Sequence, residues 1–229
     1  MSTSVPRWKR GLDLAVIVLL FPLLLPVAAA IAAWVKLSSR GPVLFRQKRI
    51  GHQGKPFTIY KIRSMEDNAP IRQHETHFQK LVVSDRPMQK LDALADPRLI
   101  RGGRFLRNTG LDELPQLINV IRGEMSLVGP RPCLPKEYEL FTAFQRERFE
   151  ATPGLTGYWQ VNGKNHTTFT EMIELDVHYL RNRSLWLDVS IMIQTPLVMA
   201  AQVIEHGFLP EVAGSKPSSA AESEPKSIY

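Results

Sequence analysis

Residues 14–35, from Leu14 to Val35, read LAVIVLLFPLLLPVAAAIAAWV, 22 consecutive residues without a charge. A helix of about 20 apolar residues spans a bilayer's hydrocarbon core, so this stretch is long enough to cross. Its flanks carry positive charge on both sides. Arg7, Lys9 and Arg10 precede it, and Lys36, Arg40, Arg46, Lys48 and Arg49 follow it. A spanning helix carries its Lys/Arg excess at the cytoplasmic end; here both ends look cytoplasmic. Pro22 and Pro26 sit mid-segment, and each lacks an N–H and crowds the preceding turn, which predicts a kink. Two readings therefore stand side by side: a kinked helix that enters one leaflet and returns, and a plain spanning helix with tolerated prolines. A secretory signal would have a shorter apolar core, although Ala28-Ala29-Ala30 resembles a cleavage site.

Outward from this segment, composition narrows the class. With 44% hydrophobic residues, 22% charged residues and 19 aromatic ones in 229, the chain builds a packed core and is not a disordered polymer. A mean hydropathy of −0.14 excludes a polytopic transporter. The net charge of +7 suits anionic partners. Cys133 is the only cysteine, which excludes an internal disulfide and a cysteine zinc site and fits a reducing compartment. Of the six histidines, His74 and His77 are three apart but have no third ligand nearby.

Beyond the apolar segment, Pro42–Phe45 and Phe57–Tyr60 read as strands around the turn-rich residues 51–56. Residues 66–96 are polar without a period. Leu114–Ile121 reads as a helix closed by Gly123; Phe141–Glu150 and Phe169–Leu180 also read as helical. Ser184–His206 is apolar, broken by Pro196, and reads either as an interfacial helix with Trp186 at headgroup level or as a core helix pair. Residues 214–229 have a disordered composition.

Three stretches hold chemistry. In residues 104–132, RFLRNTGLDELPQLINVIRGEMSLVGPRP, the adjacent acids Asp112 and Glu113 lie at a helix start marked by Pro115. Arg107 stands five residues upstream, and Arg131 sits in the rigid Gly129-Pro130-Arg131-Pro132 turn. Carboxylates among guanidinium groups fit phosphoryl chemistry with Mg²⁺, a hard cation that takes one or two carboxylates plus substrate phosphates. First-turn acids are equally routine for helix-dipole reasons. Residues 153–165, PGLTGYWQVNGKN, have three glycines, two aromatics and the amides Gln160, Asn162 and Asn165. They form either a loop that brackets a base or sugar or a hairpin turning at Asn162-Gly163. In Tyr60–Met65, Lys61 and Arg63 alternate with apolar residues, as a phosphate-contacting face or as a solvated strand face.

Taken together and in order, Lys9-Arg10-x-x-Asp13, Tyr60–Met65, Asp96-Pro97-Arg98, Leu111–Gln116, Gly129–Pro132 and the Pro153–Asn165 loop resemble the bacterial sugar transferases, the monotopic phosphoglycosyl transferases. The resemblance runs from about Lys9 to about Leu209. It implies an α/β, α-rich monotopic membrane protein: residues 1–40 a basic N-terminus and re-entrant helix kinked at Pro22 and Pro26, residues 41–210 a cytoplasmic catalytic domain with amphipathic interfacial helices, residues 211–229 a tail. It implies transfer of a sugar-1-phosphate from a UDP-sugar to polyprenyl (undecaprenyl) phosphate, giving polyprenyl diphosphate sugar and UMP. Asp112 would be the nucleophile, forming an aspartyl phospho-sugar intermediate, with Glu113 assisting and Mg²⁺ held by Asp112 and Glu113. Arg107 and Arg131 would hold phosphate, joined by Lys61. Expected partners are the UDP-sugar, polyprenyl phosphate and membrane lipid, with no nucleic acid; a homo-oligomer or downstream glycosyltransferases are further candidates. The expected place is the cytoplasmic face of the bacterial inner membrane, at the first membrane step of exopolysaccharide or glycoconjugate synthesis. The chain departs from the usual pattern at Leu25 before Pro26 and at Gly110, where many relatives carry Ser, and it resembles the compact exopolysaccharide type. Two rival readings are a polyprenyl diphosphate phosphatase and a non-catalytic basic membrane protein that binds a partner.

Overall fold

The structure is a computed structural model and describes residues 5–66, 98–163 and 166–207. The polar stretch from 67 to 97, with His74, His77, Asp96 and Pro97, lies outside the described residues, as do Lys164, Asn165 and the C-terminal residues from 208 on. Among the described residues the fold is helix-rich, with two small two-stranded sheets.

Helix α1 (Arg7–Ser38) contains the apolar segment and runs without a break through Pro22 and Pro26. Its ends are buried and its middle is not. Lys9, Asp13, Ile17 and Val35 are buried, whereas Val18, Leu19 and Leu23 are 71%, 78% and 64% exposed. Near the N-terminal end, the buried Lys9 ammonium pairs with Asp188 and donates to the Tyr179 hydroxyl at 2.9 Å, and that hydroxyl donates to the second Asp188 oxygen at 2.6 Å. Asp13 accepts from the Ser126 hydroxyl and the Leu127 N–H, both at 3.0 Å. Buried charges persist where partners satisfy them in this way. At the other end, Val35 packs with Ile62, Ile100 and Leu106, the Trp34 indole donates to the Arg101 carbonyl, and the Arg63 guanidinium donates to the Ser39 and Arg40 carbonyls. Arg63 is thus a buried fastener of the α1 exit, not part of a cationic face with Lys61.

Strands β1 (Leu44–Ile50) and β2 (Pro56–Ile62) pair antiparallel. The first strand is longer than its apolar start at 42–45 predicts, because it continues through Arg46-Gln47-Lys48-Arg49. Residues paired across an antiparallel ladder share a face. The register therefore puts Gln47 and Arg49 with Ile59 and Lys61 on one face, and Arg46 and Lys48 with Tyr60 and Thr58 on the other. Arg46 and Arg122 both stack on the Tyr60 ring.

The second sheet pairs β3 (Ser126–Val128) with β4 (Gly154–Thr156) in parallel, Ser126 opposite Gly154 and Val128 opposite Thr156. No hairpin forms at Asn162-Gly163. The chain passes from β4 into a short helix at Tyr158–Val161, whose end Asn162 caps by donating from its amide to the Tyr158 carbonyl at 2.9 Å. The segment 141–150 is not one helix either. The Thr142 side chain accepts from the Gln145 N–H while Gln145 reaches back to the Thr142 N–H, a reciprocal cap that starts a new turn. The longest remaining helices are Phe169–Asn182, capped the same way by Thr168 and Glu171, and Leu185–Gly207. The second of these runs through Pro196 without a break. It buries Asp188 and Ile191 but exposes Trp186, Ile193, Leu197 and Ile204.

Candidate active site

Gly110 opens the stretch that carries Asp112 and Glu113 with φ +64, a conformation that costs glycine little. Leu111–Gln116 then forms a short 3₁₀ helix that includes Pro115, and the α-helix proper, α2 (Leu117–Arg122), ends at Gly123 with φ +79. The predicted helix therefore starts as 3₁₀, with Asp112 and Glu113 in its first turn. Asn119, fully buried in α2, donates to the Thr58 carbonyl on β2 and to Glu124, each at 2.7 Å. That clamp seats the turn against the sheet that carries Lys61.

Asp112 is buried and Glu113 half-buried. The Lys61 ammonium meets the Glu113 carboxylate at 2.6 Å. Burial pushes the Asp112 carboxyl above the ordinary carboxylate range; Lys61 opposes this, Glu113 adds to it and Arg107 opposes it. A carboxylate in such a place has little hydration to shed before it attacks an electrophile, and its cationic neighbours keep the charged form accessible.

Lys61, Glu113 and Gln116 line one cleft with Arg131, Gln160 and Arg49. Tertiary structure brings these distant segments together. The Gly129 N–H donates to the Thr156 carbonyl at 2.8 Å and the Gly154 N–H to the Pro130 carbonyl at 2.9 Å, so the Gly129–Pro132 turn lies against the start of the 153–165 loop. The Arg131 carbonyl accepts from the Arg148 guanidinium at 3.0 Å, and Arg148 pairs with Asp176; this pair is all but inaccessible to solvent. Burial pushes the Asp176 carboxyl up to about 6, with Arg148 opposing. The buried Oε1 of Gln160 has no partner among the described residues. Asn162 is exposed and engaged as a cap, and Asn165 lies outside the described residues. Two cleft residues escaped the sequence reading. Gln116 is quoted there only within its motif, and Arg49 only as part of the basic flank of the apolar segment. The strand register was the missing signal for Arg49.

Among the described residues, no group of three or more His, Cys, Asp and Glu side chains is placed to hold a metal. Mg²⁺ needs only one or two protein carboxylates when substrate phosphates complete its shell. The adjacent carboxylates of Asp112 and Glu113 fit that substrate-bridged use and do not form a ready cage.

A cationic cleft next to a buried carboxylate, on a body that holds both ends of a membrane-length helix, fits the handling of phosphorylated substrates at a membrane. The chain belongs to the bacterial sugar transferase family, which it matches over residues 4–202. It is 39% identical over 195 residues to the UDP-glucose:undecaprenyl-phosphate glucose-1-phosphate transferase of Escherichia coli K12, covering 82% of this chain and 39% of that protein. It is 37% identical over 189 residues to the exopolysaccharide production protein ExoY of Sinorhizobium fredii, covering 82% of this chain and 83% of ExoY. It is 41% identical over 157 residues to the galactosyl transferase CpsE of Streptococcus agalactiae, covering 68% of this chain and 34% of CpsE. The chain thus spans about a third of CpsE and most of ExoY.

Proposed function

We propose that this protein transfers a sugar-1-phosphate from a UDP-sugar to undecaprenyl phosphate, through a covalent intermediate on Asp112. The observation that carries the reading is the buried Asp112, with Lys61 and Arg107 offsetting its burial, next in sequence to Glu113 of the cleft that holds Lys61 and Arg131. The relatives named for transfer to undecaprenyl phosphate support the two substrates.

The chemistry follows from the side chains. An Asp112 oxygen attacks the phosphorus that bears the sugar. The bond from that phosphorus to the bridging oxygen breaks, the electron pair stays on that oxygen, and UMP departs. A phosphate oxygen of undecaprenyl phosphate then attacks the same phosphorus and returns the Asp112 carboxylate. Anion meets anion in both steps, so Lys61, Arg107 and Arg131 serve to cancel the repulsion and to stabilise charge as it develops. Glu113 holds Lys61 in place. Mg²⁺, held by Asp112 and Glu113 together with the diphosphate, would supply further charge neutralisation.

A re-entrant α1 is part of the same reading. Both of its ends rest on one body, and the uncharged middle residues stand clear of it, which supports a helix that dips into one leaflet and returns. The exposed apolar face around Trp186 and Leu197 fits the interface plane on the cytoplasmic side, where a polyprenyl phosphate headgroup lies.

The test is UMP release from a panel of UDP-sugars by detergent-solubilised protein with undecaprenyl phosphate and Mg²⁺. Asp112→Asn is expected to abolish turnover while melting normally, and excess chelator is expected to stop the wild type. A folded, fully active Asp112→Asn protein would sink the nucleophile assignment. Free phosphate released from a polyprenyl diphosphate, with no UMP from any donor, would point to a phosphatase instead.

A further inference from the structure

Two pairs of cations stand near the Asp112-Glu113 pair. One is Lys61 with Arg107, the two cations that offset the burial of Asp112. The other is Arg49 with Arg131. Arg49 and Lys61 lie on the same face of the β1–β2 ladder. Arg49 is opposite Phe57, four residues along β2 from Lys61, so their backbones are about 13 Å apart. Lys61 and Arg49 are therefore anchored at separate points along one sheet face.

Arg49 is built into place. Its guanidinium donates to the Gln47 side-chain oxygen at 3.1 and 2.7 Å and to the Pro132 carbonyl at 3.3 Å. The next residue ties the same two segments by backbone, Ile50 N–H to the Cys133 carbonyl at 2.8 Å. Gln47 comes from the same strand face, and Pro132 follows Arg131 directly. These bonds hold one guanidinium close to another. Burial and then the Arg131 charge bring Arg49 down to about 10, with Glu137, Cys133 and Glu113 opposing. Two like charges that line one cleft form an arrangement that an anion relieves. Guanidinium groups match phosphate oxygens bidentately.

We infer that Arg49, together with Arg131, binds the phosphate that departs with the nucleoside, while Lys61 and Arg107 attend the phosphate that Asp112 attacks. This rests on the proposed reaction and adds a binding residue and a polarity to it. The diphosphate lies along the sheet face, its nucleoside end towards Arg49. When the bridging bond breaks, the departing phosphate gains a negative charge, and Arg49 meets it there. Arg46 and Lys48, two of the neighbouring cations in the sequence, point to the opposite face and take no part.

The experiment compares inhibition by UMP and by uridine in the wild type, Arg49→Gln and Arg49→Lys, with KM for undecaprenyl phosphate measured in parallel. Thermal melting of each protein is the folding control. Arg49→Gln is expected to weaken UMP at least tenfold, to leave uridine unchanged, and to leave KM for undecaprenyl phosphate unchanged. Arg49→Lys, which keeps the charge without the fork, should fall between; it decides the matter alone if Arg49→Gln melts early. A raised KM for undecaprenyl phosphate with unchanged UMP inhibition would overturn the inference by moving Arg49 to the acceptor. Equal weakening of UMP and uridine would overturn it as well, since the loss would then lie in the shape of the site. Wild-type protein that forms no UMP from any donor would refute the reaction itself, an outcome distinct from either of these.

Discussion

At the scale of single residues, the site combines a costly carboxylate with cations that make it usable. Asp112 is held above the ordinary carboxylate range chiefly by burial, with Lys61 the largest opposing influence. Under the proposed mechanism attack requires the ionised form, so the rate should fall as pH drops through this raised value. Removing Lys61 takes away what lowers it. Lys61→Met is therefore expected to move the acid limb of kcat/KM to higher pH, besides reducing the rate. An acid limb that stays in place would separate Lys61 from Asp112. The same shift has a consequence for stability. A carboxyl whose folded value is raised stabilises the fold below its unfolded value and loses that contribution as pH rises through the folded one. At neutral pH Asp112 is thus a cost to the fold, and Asp112→Asn should melt no lower than the wild type at pH 7. Trading stability for function in this way is common at active sites. Cys133 is the contrasting case: burial pushes its thiol up to about 12, which makes it inert.

At the scale of elements, the cleft depends on how closely β3 and β4 approach. A Cβ on Gly154 would lie 2.0 Å from the Gly129 nitrogen and 2.3 Å from the Thr156 carbonyl oxygen, both backbone atoms that no rotamer change can move. Gly154→Ala is therefore expected to destabilise the protein by about 3 kcal/mol, at the upper end of overpacking costs. It should also weaken donor binding, because the strand pair carries the Arg131 turn. Denaturant melts and KM for the donor check both parts; a variant of wild-type stability and KM would mean that the pair can open without loss. The Arg148–Asp176 pair acts at the same scale, fastening Arg131 from the side of the Phe169–Asn182 helix. The sequence marks a kink at Pro22 and Pro26 and a break at Pro196; both helices continue through their prolines, which corrects the break at Pro196. Proline removes a hydrogen bond and crowds a turn, but it does not dictate that a long helix must end there.

At the scale of the whole molecule, the charged ends of α1 explain why so apolar a segment is tethered at both ends. Lys9 and Asp13 at one end, and the Arg63 contacts to Ser39 and Arg40 at the other, bring both termini of the helix to one body. The re-entrant reading predicts that cysteines introduced at Arg7 and at Arg40, in a Cys133→Ser background, react with an impermeant maleimide from the same side of sealed vesicles. Labelling from opposite sides would establish a spanning helix and reject that reading.

Much of this was legible in the chain. A run of 22 uncharged residues can only form an apolar helix, and basic residues at both of its ends already argue against a simple orientation. The Asp112-Glu113 pair, Arg107 and Arg131 stand close enough in sequence to be read as one constellation. What local order does not determine is which side of a strand faces a cleft. Arg46, Gln47, Lys48 and Arg49 look alike as a polar run, and only the ladder with Phe57–Ile62 puts Gln47 and Arg49 on the face that carries Lys61. The parallel pairing of 126–128 with 154–156 has no turn to announce it, so the meeting of Arg131 with Gln160 was equally hidden. The sequence by itself determined the apolar helix, the acidic pair and the family, because each is written in neighbouring residues. Tertiary structure alone decided the composition of the cleft, because long-range pairing selects the face that each side chain shows.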